Sequence, residues 1–105
     1  MGAIVVWTAM SDGKLAEKLA GELVRKKLAA CVSLVPGAVS TYRWKGKIER
    51  TREVLVMVKT TRVRWKALQK FVLSRHPYEL PELIAVRVSA GSKKYLNWMD
   101  SSLGL

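Results

Sequence analysis

Residues 30–60 read as two extended segments placed back to back, and nothing else in the chain limits its possible folds so strongly. The first, ACVSLVPGAVSTYRWKGKI, is bent at Pro36-Gly37 and alternates Tyr42 and Trp44 with Arg43 and Lys45. After Gly46 the chain extends again through IERTREVLVMVKT. Period-two alternation on both sides of a glycine turn is the pattern of a β-hairpin. The second arm ends in Val54–Val58, apolar at every position, which suits a central strand covered on both faces. A chain of 105 residues builds one domain, here taken as 1–105. The outer half of the hairpin, residues 40–53, therefore reaches beyond what such a domain can cover. It displays Tyr42, Trp44 and Ile48, and an uncovered aromatic patch on so small a monomer favours aggregation. A neighbouring subunit or a ligand is expected to cover it.

The flanking elements complete a pattern. AIVVWTA (3–9) is a short β-branched run read as a buried strand. Ser11 is placed to cap a helix in which Leu15, Leu19 and Leu23 fall in one row, closed by Arg25, Lys26 and Lys27 where the helix dipole favours cations. Thr60-Thr61 is placed to cap a second helix with Trp65, Leu68 and Val72 on one face. That helix stops at His76, because Pro77 disfavours a helical conformation in the residue before it. LIAVRVSA reads as a fourth strand, and SKKYLNWMDS as a short amphipathic helix carrying Leu96 and Met99 beside Tyr95 and Trp98. Trp7, Trp65 and Trp98 are read as core. The order β-α-β-β-α-β plus a terminal helix predicts an α+β, ferredoxin-like domain: an antiparallel sheet with both main helices on one face.

Charge and composition narrow the function classes. The formal charge is +11, from 19 basic and 8 acidic side chains. Eleven of the basic residues lie in 43–75, against only Glu49 and Glu53. Most such charge is ordinary solvated surface, but Arg43, Lys45, Lys47, Arg50 and Arg52 are candidate contacts for a polyanion or nucleic acid. Cys31 is alone, so no intrachain disulfide forms and no zinc-type Cys/His cluster exists. No apolar run approaches the roughly 18 residues that cross a bilayer, and the start lacks a signal-peptide pattern. No membrane association and a cytoplasmic location are expected.

RHPYELPELIAV (75–86) holds the sole histidine, two prolines and two glutamates. The simplest reading is structural: His76 ends a helix, Pro77 and Pro81 stiffen a loop, and Tyr78 packs with its hydroxyl bonded to backbone. Beside it stands a metal reading, with His76 and Glu82 as ligands and Cys31 joining if the fold brings it near. Glu79 completes the polar loop. The types for acid–base chemistry are present, but no nucleophile motif or phosphate-binding glycine loop accompanies them, so no enzyme activity is expected. No cofactor is required by the residues; Cu(II) or another divalent metal is the candidate ligand.

Several strings stand in the order and spacing of one family. KLAACVSLVPGAVSTYRWKGKI, VLVMVKTT, HPYELPELIAV and YLNWM resemble the CutA divalent-cation tolerance proteins, and the resemblance runs from about Ile4 to Leu103. It implies a ferredoxin-like protomer in a tight homotrimer similar to the PII signalling proteins, with the hairpin clasping neighbouring subunits over Tyr42 and Trp44. It also implies tolerance to divalent metals, copper binding and no established catalysis. The chain departs from the family in its stripped acidic complement. It also has Trp7 and Arg75 where metal proposals for some relatives use a first-strand cysteine and a second histidine. Each assembled cleft is then expected to be edged by the HPYELPE loop.

Overall fold

The computed structural model describes residues 2–105. Strand β1 (Ala3–Met10) leads to helix α1 (Gly13–Arg25), the hairpin β2 (Cys31–Trp44) and β3 (Lys47–Thr61), helix α2 (Trp65–Arg75), strand β4 (Ile84–Arg87) and helix α3 (Lys93–Ser102). The sheet order is β2-β3-β1-β4 and every pairing is antiparallel, as a split βαβ unit requires. The α+β, ferredoxin-like expectation holds.

Period two decides which side of the sheet is dry. Ile4, Val6, Thr8 and Met10 of β1 pair with Thr60, Val58, Val56 and Val54, and this face packs under Ala16, Leu19 and Leu23 of α1 and Leu68 and Val72 of α2. The opposite face carries Val5, Trp7, Leu55, Met57, Val35, Ile84 and Val86 in register, with neither main helix over it. Ile84 and Val86 remain about half exposed, at 53% and 52%. Trp7, expected in the core, is only half-buried on that face.

Local chemistry differs from expectation at several ends. Asp12, not Ser11, caps α1, its carboxylate accepting from the Leu15 amide at 3.1 Å. Helix α1 closes in a Schellman motif: Leu28 N–H donates to Leu23 O and Lys27 N–H to Val24 O, with Lys27 at φ 57°. Thr60 caps nothing; its hydroxyl donates to Leu28 O at 2.7 Å. A 3-10 turn, Arg62–Arg64, follows Thr61, and α2 starts without a side-chain cap. Arg64 is thereby structural, donating to Lys27 O and Leu103 O and tying α3 to the end of α1. The fourth strand is four residues long, all exposed, and it forms a sheet edge. On α3, Met99 is buried while Trp98 is 47% exposed against Tyr95, so Trp98 is not core.

Candidate functional site: a cleft at the base of the hairpin

Strand β1 ends at Met10, opposite Val54, so from Glu53 outward β3 has only β2 beside it. The hairpin projects from this point and stretches the molecule to 44 Å, against 26 and 23 Å in the other directions. Its tip is a two-residue turn with Lys45 at φ 51° and Gly46 at φ 81°, the geometry of a type I′ turn. Gly37, at φ 81°, allows the irregularity between Val35 and Ala38.

The register sorts the hairpin's side chains. Ser40 faces Thr51, Tyr42 faces Glu49 and Trp44 faces Lys47, so these share one face with Glu53. Arg43 lies opposite Ile48, Thr41 opposite Arg50 and Val39 opposite Arg52, which places three arginines together on the other face. Ile48 therefore does not form one ribbon with Tyr42 and Trp44; it lies among the arginines. Lys45, Lys47, Arg50 and Arg52 are exposed, and the Lys45 ammonium stands 5.7 Å from the Trp44 ring centre.

Where the hairpin leaves the sheet, the loop after α2 folds against it and encloses a cavity of about 530 Å³. Ser40, Tyr42, Trp44, Thr51 and Glu53 supply one wall; Tyr78, Glu79, Leu80 and Glu82 supply the other; Ala9 and Ser11 close the base. Tyr42 is fixed by a 2.8 Å hydrogen bond between its hydroxyl and that of Thr51. Tyr78 donates its hydroxyl to Glu53 Oε2 at 2.7 Å. Burial first, and the Glu53 carboxylate second, push the Tyr78 hydroxyl above its ordinary pKa, so it stays a donor. Glu53 is only 7% exposed. Sequence reasoning missed it, although an acidic residue directly abutting the buried run Val54–Val58 is a signal for a partnered interior carboxylate.

His76 takes another part. Its Nε2 lies 2.9 Å from Ala9 O, which can only accept, so Nε2 carries the proton and donates; Nδ1 accepts from the Tyr78 amide at 3.2 Å. Burial lowers its pKa, outweighing the Ala9 bond and the Glu53 charge that would raise it. The ring packs edge-on to Tyr78 with centres 4.8 Å apart. Both nitrogens are committed, and the imidazole acts as a rivet between the end of β1 and the loop that Pro77 and Pro81 stiffen.

The three candidate metal ligands are not brought together. Cys31 pairs with Lys59 near the opposite end of the sheet, four positions along β3 from Leu55, the partner of Ala9. Its sulfur lies 3.7 Å from the Lys59 ammonium. Glu82 lines the cleft beside Glu79 and Glu53, yet among the described residues no three His, Cys, Asp or Glu side chains converge closely enough to hold an ion. The donors of one subunit do not fit a tight metal centre.

Against known proteins, residues 4–102 match the family model described as CutA1 divalent ion tolerance protein. A divalent-cation tolerance protein CutA of Yersinia pestis is 43% identical over 96% of this chain and 85% of its own length. CutA of Xylella fastidiosa superposes with a TM-score of 0.94 at 43% identity, covering 98% of this chain and 99% of the other. CutA of Archaeoglobus fulgidus, described as periplasmic, gives a TM-score of 0.92 at 32% identity over 96% of this chain and 98% of its own. The strings on either side of the cleft, the hairpin and the HPYELPE loop, lie within this shared span, and the chain belongs to the CutA1 divalent ion tolerance family.

Proposed function

We propose that the chain acts as a homotrimeric, PII-like binding and scaffold module in divalent cation tolerance, and not as an enzyme. The observation that carries this reading is the sheet face left bare by both main helices. Val5, Trp7, Val35, Leu55, Met57, Ile84 and Val86 make an apolar surface on a chain of 105 residues, bordered on the β2 side by Ser33, Cys31 and the Lys59 ammonium that bonds them. Covering the exposed halves of Ile84 and Val86 alone is worth about 2 kcal/mol per subunit. A second copy presents the same face, and closed assemblies of identical chains are the ordinary way to hide one. The short edge strand β4 and the projecting hairpin add unpaired backbone through which neighbours can clasp. Three equivalent clefts follow, each edged by one HPYELPE loop.

Divalent metal, copper included, binds weakly in this reading, through the Glu79 and Glu82 carboxylates and not through the occupied imidazole of His76 or the remote thiol of Cys31. Calorimetric titration with Cu(II) tests it: Glu82→Gln lowers the affinity and His76→Asn leaves it unchanged. The reverse pattern would return the imidazole to the ligand set. The unpaired thiol of Cys31 suits a reducing compartment, which supports a cytoplasmic location. Among the described residues no helix is long and apolar enough to cross a membrane.

A polyanion contact is favoured by one feature, the grouping of Arg43, Arg50 and Arg52 on a single hairpin face. Such binding would be charge-driven and steeply weakened by salt.

A further inference from the structure

Of the eight acidic residues in this strongly basic chain, Glu53, Glu79 and Glu82 line one cavity; among the described residues Arg43 is the sole basic residue bordering it, from a strand position on the opposite hairpin face. Glu53 is more than nine-tenths buried. The only hydrogen bond to its carboxylate among the described residues is the Tyr78 hydroxyl on Oε2, a neutral donor. No basic side chain forms an ion pair with it; the one ion pair among the described residues joins Arg75 to Glu22. A carboxylate withdrawn from water with no cationic partner is costly unless a cation arrives. The same cavity is walled by the rings of Tyr42, Trp44 and Tyr78. Aromatic faces attract cations, and the Lys45 ammonium already stands over Trp44. At about 530 Å³ the cavity falls in the size range of small-molecule sites, roughly 300 to 1,000 Å³.

We propose that this cleft binds a small organic cation, its ammonium group held by the free side of the Glu53 carboxylate and its apolar body laid among Tyr42, Trp44 and Tyr78. The proposal rests on the reading of the cleft as a binding site and names its ligand class. A tightly held divalent ion needs several oxygens converging at coordination distance, which the described residues do not provide, so metal binds here only weakly. One carboxylate and a set of rings are enough for an amine. An anionic ligand is disfavoured by three carboxylates on the walls. Glu79 and Glu82, at the exposed rim, draw the cation in; Glu53 selects for it at the base.

Benzylamine, charged at neutral pH, and its uncharged analogue benzyl alcohol are the probes. Both are titrated calorimetrically into the intact protein at a mass fixed beforehand by light scattering. Benzylamine is expected to bind saturably at one molecule per chain and benzyl alcohol much more weakly. Glu53→Gln keeps an acceptor for Tyr78 and removes the charge, and should weaken benzylamine about tenfold or more. Should Glu53→Gln fail to fold, Trp44→Leu at the projecting hairpin carries the test, and loss of the ring must lower the affinity. Equal binding of benzyl alcohol, unchanged affinity in the variant, or no saturable binding overturns the proposal. A trimeric mass with no amine binding overturns this inference alone. A single-chain mass with amine binding retained supports the cleft, built wholly from one chain, while sinking the assembly.

Discussion

His76 donates through Nε2 to Ala9 and accepts through Nδ1 from the Tyr78 amide, so a second ring proton would set two N–H groups against each other. Its folded pKa is lowered by burial, with Tyr78 and Glu53 the titratable groups facing it and the Glu53 charge opposing the shift. The unfolded chain then takes up a proton at higher pH than the folded one. The stability from neutral His76 is fully present above the unfolded value, near about 6.5, and is lost as pH falls through the folded value. Thermal melts between pH 8 and pH 5 should show the midpoint falling on the acid side, and His76→Gln should flatten that slope; an unchanged slope would contradict the rivet. The helix stop at His76 was legible from Pro77. Its bonding partners were not, because Ala9 lies 67 positions away and nothing local to residue 76 marks it. The α1 cap failed for a different reason: Ser11 and Asp12 are both competent, and the choice depends on where β1 lets go of the sheet.

The hairpin is the element that makes the cleft, and its register follows from the two-residue turn. Once Lys45-Gly46 is the loop, Trp44 must face Lys47 and Ile48 must face Arg43. The alternation of Tyr42 and Trp44 was therefore readable along β2. Grouping Ile48 with them ignored the parity that the turn imposes across to β3. Lys45 occupies a left-handed conformation at φ 51° that asparagine tolerates better. Lys45→Asn should stabilise the protein by about 0.5 kcal/mol, and Gly46→Ala should destabilise it by about 1 kcal/mol, both read from melting midpoints. Opposite signs would mean that the tip is held by something other than its own turn. Buried apolar runs were equally legible as strands, yet AIVVWTA cannot say which of its two faces a helix will cover. For that reason the run alone points Trp7 to the core, whereas it stands half-buried on the side without the main helices.

At the scale of the molecule, a chain with +11 formal charge must bring like-charged copies together to hide an apolar sheet face, so assembly should tighten as salt screens the repulsion. In the proposed trimer the sheet face that lacks both main helices, and that α3 touches at Ala3, is buried between identical subunits. Sedimentation equilibrium at moderate salt measures this directly. The native chain should have three times the mass of one copy, and Val86→Lys, which puts a charge on that face, should release single folded chains. A native protein that sediments as one chain at every salt concentration, or a Val86→Lys variant that stays assembled, would contradict it.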